Sequence, residues 1–68
     1  MEFLTIKEQK ILKKLKEINN KEIDFNLYRK TGVADLVGLK SSTNLYYYIK
    51  TLKEKGYINY VDNRITYN

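Results

Sequence analysis

The sequence predicts an α+β domain of three helices followed by a C-terminal two-stranded β-hairpin, with a short strand between the first two helices. Three observations predict it. Apolar residues recur at helical spacing in two long stretches. Glycines at positions 38 and 56 fall where such helices should stop. The final stretch, "YINYVDNRITYN", alternates apolar and polar residues about an Asp-Asn dipeptide.

The first helix is expected over about residues 5–19. Thr5 and Glu8 have capping-box spacing, in which the hydroxyl takes the Glu8 amide and the carboxylate reaches back. Leu4, Ile11, Leu15 and Ile18 share one stripe with Leu12 beside it, and Lys7, Lys10, Lys13, Lys14 and Lys16 lie off that stripe as a solvated face. Asn19 and Asn20 end the helix.

In "KEIDFNLYRK", Ile23 and Phe25 alternate with Glu22 and Asp24, which suits a short strand. "NLYRK" fits a loop or a helical turn. The second helix is expected over about residues 31–37, with Thr31 as N-cap and Asp35 near the positive end of the helix dipole. Val33, Leu36 and Val37 form its apolar face, and Gly38 takes the left-handed position after it.

The third helix is expected over about residues 42–55, capped by Ser41 or Ser42, with Leu45, Ile49 and Leu52 facing the core at i, i+4 and i+7. Lys53 and Lys55 read as solvated, and Gly56 ends the helix. A hairpin over about residues 57–67 follows. If Asp62-Asn63 is its two-residue turn, Val61 opposes Arg64, Tyr60 opposes Ile65 and Ile58 opposes Tyr67. The last two pairs then share one face, so register and pattern agree.

With 68 residues the chain is read as a single domain over 1–68. A domain of this size buries only ~60% of its unfolded surface, which leaves little room for a pocket, so no small-molecule ligand is expected. It contains no Cys and no His, and its acidic residues are scattered. Thiolate and imidazole metal sites, disulfides and the commonest general base are therefore excluded, and neither a cofactor, a metal nor an enzymatic activity is expected. No long apolar run opens the sequence, so neither a signal peptide nor a spanning helix is expected, and a cytoplasmic location is. Thirteen Lys and Arg against eight Asp and Glu give a net charge of +5, which favours a polyanionic partner.

Helix, strand, helix, the three-residue turn "GLK", helix and hairpin is the element order of a winged helix-turn-helix. "VGLKSSTNLYYYIKTLKEKGYI", residues 37–58, resembles the DNA-binding domain of LexA-type repressors. In that family Gly-Leu, a Ser-rich cap, a recognition helix and a Leu-x-x-Lys-Gly-x-Ile ending follow in this order. "LTIKEQKIL", Leu4 to Leu12, also resembles the family's first helix. The resemblance is densest over residues 36–58, and the Leu-x-x-x-Gly-x-Ile ending is shared with winged-helix regulators of the MarR and ArsR types. Two departures limit it. The sequence has no counterpart of the self-cleaving peptidase domain, so cleavage is not carried over. The segment "NLYRKTG" also lacks the prolines often found before the second helix in the family.

The resemblance implies a sequence-specific double-stranded DNA-binding protein, a small transcriptional repressor that occupies an operator. A homodimer on a palindromic site is the expected form, and a viral or plasmid source is the expected origin. Thr43 and Asn44 match positions that the resemblance places at base contacts, and Asn is a good partner for adenine. Thr43, Tyr46, Tyr47 and Lys50 lie opposite the core stripe of the third helix, where a helix-turn-helix meets the major groove. Tyr48 flanks the core and is read as packing. Phosphate contacts are expected from the Thr31 and Gly32 amides and from Lys40, Ser41 and Ser42, with Asn63 and Arg64 at the wing tip. The competing reading is a winged-helix protein-interaction module in a replication or transcription assembly, with the tyrosines as its interface.

Overall fold

The computed structural model describes residues 3–68. Its elements are α1 (Ile6–Ile18), β1 (Glu22–Asp24), α2 (Lys30–Leu36), α3 (Ser42–Glu54), β2 (Ile58–Val61) and β3 (Arg64–Tyr67). The architecture is α+β, with three helices and an antiparallel sheet in the order β1-β3-β2.

α1 begins as its sequence directs. The Glu8 amide donates to Thr5 Oγ1 at 3.1 Å, and the Thr5 amide donates to Glu8 Oε1 at 2.8 Å. These bonds satisfy two amides that a helix start would otherwise leave unpaired. Ile11, Leu12 and Leu15 are buried, and the helix closes at Asn19, whose amide donates to the Leu15 carbonyl. Asn19 Oδ1 then accepts from the amides of Lys21 and Glu22, turning the chain into β1.

β1 is real, and it pairs with β3: Glu22 with Thr66, Ile23 with Ile65, Asp24 with Arg64. The hairpin is thus two strands of a three-stranded sheet. "NLYRK" starts as a turn. The Asn26 amide donates to Asp24 Oδ1 at 2.8 Å, and the Leu27 and Tyr28 amides both donate to the Asp24 carbonyl.

α2 departs from expectation in phase. It starts at Lys30 with Arg29 as N-cap and no side-chain cap bond, so Thr31 lies inside the first turn and caps nothing. Asp35 is the sixth of the seven residues of α2, so it stands in the last turn, at the negative end of the dipole, and not near the positive end. Val33, Ala34 and Val37 are buried, whereas Leu36 is 62% exposed. Ala34 occupies the core position expected of Leu36.

Both helix stops use glycine as read. At Gly38 φ is +81°, the Leu39 amide donates to the Ala34 carbonyl, and the Gly38 amide to that of Asp35. At Gly56 φ is +87°, and Tyr57 and Gly56 donate to Leu52 and Lys53 in the same pattern. This paired closure requires a left-handed residue, which glycine adopts without a Cβ clash. Between the two stops lies α3, capped by Ser41, whose Oγ accepts the Asn44 amide at 3.3 Å.

The β2–β3 register is the predicted one: Ile58 with Tyr67, Tyr60 with Ile65, Val61 with Arg64. Asp62 and Asn63 have φ of +54° and +60°, as a two-residue turn of this twist demands. Ile58 and Ile65 on the sheet, with Ile23 from β1, meet Leu15, Leu45 and Leu52 from the helices in one core. Among the described residues, the buried charged side chain is Glu8, whose carboxylate meets Lys55 Nζ at 2.7 Å. Lys55 Nζ also donates to the Phe3 carbonyl. Lys55 is therefore not the solvated residue its sequence context suggested; only 19% of its side chain is exposed.

No helix among the described residues is long and apolar enough to cross a membrane.

Candidate nucleic-acid interface

α3 has two unlike sides because its apolar residues repeat at i, i+4 and i+7. Leu45, Ile49 and Leu52 are buried. At about 100° per residue, that puts Thr43, Tyr47 and Lys50 on the far side, with Tyr46 and Asn44 on its two flanks. All five are exposed. The Asn44 bond to Ser41 uses its backbone amide, so its carboxamide remains for other partners.

The tyrosines lean apart. Tyr46, 54% exposed, leans toward the hairpin and meets Tyr60 edge-on, with ring centroids 6.3 Å apart. Tyr60 in turn meets Phe25 at 6.1 Å, and Lys30 Nζ lies 5.9 Å over the Phe25 ring. A row of rings therefore runs from α3 across β2 to the end of β1. Tyr47, 62% exposed, packs edge-on against Tyr48 at 5.4 Å. Tyr48 is half-buried against the core, as its position beside the stripe predicts, and Lys7 Nζ lies 5.8 Å over its ring. An edge-on pair restricts both rings, so each tyrosine is partly oriented before any partner arrives.

The residues expected at a phosphate backbone are placed less uniformly. Lys40 and Ser41 are exposed in the α2–α3 connection, but the Ser41 hydroxyl already serves as the α3 cap, and Ser42 is half-buried. Thr31 and Gly32 are exposed in the first turn of α2, whose N-cap supplies no side-chain oxygen. At the hairpin tip, Asn63 and Arg64 both have partners within the domain. The Asn63 carbonyl accepts the Phe25 amide at 2.8 Å, and its Oδ1 accepts the Tyr60 hydroxyl at 3.3 Å. Arg64 Nε stands 3.5 Å from Asp24 Oδ2, while its side chain remains 53% exposed. The tip is thus tied to the strand beside it, and Arg64 retains outward donors.

Sequence reasoning passed over Lys53, Glu54 and Tyr60. Together with Tyr46, Ile49 and Lys50 they line a groove of about 340 Å³ between α3 and β2. The α3 residues fall at i, i+3, i+4, i+7 and i+8, the spacing of one helix flank, and that signal was present in the sequence. A second open groove of about 400 Å³ lies on α1, bordered by Leu4, Leu12 and Lys16. The chain therefore carries surface concavities that its size did not suggest. Among the described residues, no group of three or more His, Cys, Asp or Glu side chains could hold a metal ion.

A scan of protein-family models and searches of curated proteins and of solved structures each found no match to this chain.

Proposed function

We propose that the domain is a winged helix-turn-helix that binds double-stranded DNA, with α3 as recognition helix and the β2–β3 hairpin as wing. The observation that carries this reading is the two-sided α3. Its buried stripe fixes the helix to the body, and its exposed side offers a hydroxyl, a carboxamide, two phenols and an ammonium. An α-helix with side chains is ~10–12 Å across and the B-DNA major groove is ~12 Å wide, so such a face can enter it. Asn44 suits the adenine edge, Lys50 a guanine edge or a phosphate, and the tyrosine rings a thymine methyl. The net charge of +5 supplies long-range attraction.

The resemblance of residues 36–58 to LexA-type repressors supports the same reading and gives it direction: a small cytoplasmic repressor that blocks transcription by occupying its operator. A homodimer would read a palindrome, with half-sites ~34–36 Å apart.

One observation favours a second reading, a protein-interaction module. The Tyr46–Tyr60–Phe25 row forms the kind of aromatic surface that protein partners cover.

Selection of sites from a random duplex pool at two salt concentrations tests both. Sequence-specific binding enriches a motif, and the Tyr46→Ala/Tyr47→Ala double variant loses it. No duplex binding at either salt concentration removes the DNA reading and leaves the aromatic surface to a protein.

A further inference from the structure

The groove between α3 and β2 is lined on one wall by Tyr46, Ile49, Lys50, Lys53 and Glu54 and on the other by Tyr60. Lys50 and Lys53 are three positions apart, Lys53 on the Tyr46 flank and Lys50 between that flank and the far side, so they are neighbours along one edge of the helix. Neither makes an ion pair among the described residues. Both residues are exposed, while Tyr60 is half-buried and Ile49 is buried beneath the groove. The groove is therefore an apolar trough with cations along one rim, and a carboxylate, Glu54, stands at the end of α3.

We propose that this trough holds the sugar-phosphate backbone of one DNA strand, the strand bounding the major groove on the hairpin side. The inference rests on the DNA-binding reading above and adds to it Lys53, Glu54 and Tyr60, which that reading does not use. When a helix lies in the major groove, the two bounding backbones run along its two flanks. On the hairpin flank, the backbone meets the trough. Phosphates face Lys50 and Lys53, which act as point charges. The apolar side of the deoxyribose meets the Tyr46 and Tyr60 rings. Glu54 repels the strand where it passes the last turn of α3, which restricts how far along the helix it can lie. Lys53 is then a positioning residue: it fixes register on the duplex and reads no base.

The test compares three single variants with the unmodified protein on one selected duplex, across a salt titration. Lys53→Gln lowers the salt exponent by about 0.9, the value for one phosphate contact, and leaves the ranking of selected sequences unchanged. Glu54→Gln tightens binding at low salt. Lys14→Gln, on the exposed side of α1, leaves the exponent where it was. All three side chains are exposed, so the fold does not depend on them. The proposal is overturned if Lys53→Gln keeps the unmodified exponent, or if Glu54→Gln fails to tighten binding. If the unmodified protein binds no duplex at any salt concentration, the DNA-binding reading fails first and this inference falls with it.

Discussion

Lys55 Nζ lies 2.7 Å from Glu8 Oε1, so one ion pair joins the C-cap of α3 to the first turn of α1. The same carboxylate oxygen accepts the Thr5 amide, and the same ammonium donates to the Phe3 carbonyl. The helix start, the segment before it and the end of the third helix are therefore one polar network at the edge of the core. Breaking it leaves a buried charge without its partner.

Lys55→Met is expected to cost about 1.5–3 kcal/mol, the range for a hydrogen bond to a charged group. Glu8→Gln should cost less, because Gln can still accept the Thr5 amide. Urea unfolding of the two variants measures both. The Lys55 hydrogen bond, with the Thr5 amide second, holds the Glu8 carboxyl below its ordinary value of 4.5. A depressed carboxyl contributes stability above the unfolded value and loses it as pH falls through the folded value. The stability difference between Glu8→Gln and the unmodified protein is therefore full at neutral pH and shrinks below pH 4.5. A difference that persists unchanged in acid would assign the effect to packing.

The Tyr67 hydroxyl donates to the Asn19 carbonyl at 2.9 Å, linking β3 to the end of α1. Burial pushes its phenol up to about 12 from an ordinary 10.0. The folded state binds this proton more tightly than the unfolded state, so the phenol's contribution is complete below pH 10 and is lost as pH rises toward 12. Tyr67→Phe should cost about 0.5–1.5 kcal/mol at neutral pH. It should also flatten the alkaline fall in stability, which denaturation across that pH range reads directly.

Two glycine substitutions should move stability in opposite directions. At Gly38, φ is +81° and a Cβ would meet nothing within 4 Å, so Gly38→Ala bears only the left-handed backbone cost of about 1–2 kcal/mol. Gly32 lies within α2, and a Cβ there would meet only the Arg29 Cβ at 4.0 Å. Gly32→Ala should therefore stabilise by about 0.4–1 kcal/mol by restricting the unfolded chain. Thermal melts of the pair decide; equal signs would contradict this account.

Asn44→Ala keeps the backbone bond that caps α3 and removes only the carboxamide. Under the DNA-binding reading it changes stability by no more than about 0.5 kcal/mol and relaxes preference at one base position by ~1–3 kcal/mol. Tyr47→Ala should weaken binding and, because it removes the edge-on contact with Tyr48, should also lower stability by about 0.5–1.5 kcal/mol. Repeating the site selection with each variant, alongside a melt, separates the two effects.

What could be read from the sequence was local. The Thr5–Glu8 box, the stops at Gly38 and Gly56 and the hairpin register each depend on residues a few positions apart, and each stands in the structure. What could not be read depended on distant partners. Nothing near Lys55 announces Glu8, and nothing in "EID" announces Thr66, Ile65 and Arg64 across the sheet. α2 was misphased because seven residues with two adjacent buried positions support more than one helical stripe, and packing on α3 chose between them. The exposed side of α3 followed from periodicity alone. The lean of Tyr46 toward Tyr60 did not, because it depends on where the hairpin folds back.

The middle strand of the sheet, β3, comes last in residue order, and its partners on either side are β1 and β2. On the ribosome, all three helices and both outer strands emerge before the strand that joins them. Until residues 64–67 are clear of the exit tunnel, Ile23 and Ile58 have no Ile65 to close over, and the nascent chain can hold helices but no sheet. Closure of the sheet is therefore a single event rather than a gradual one, because both ladders wait for the same four residues.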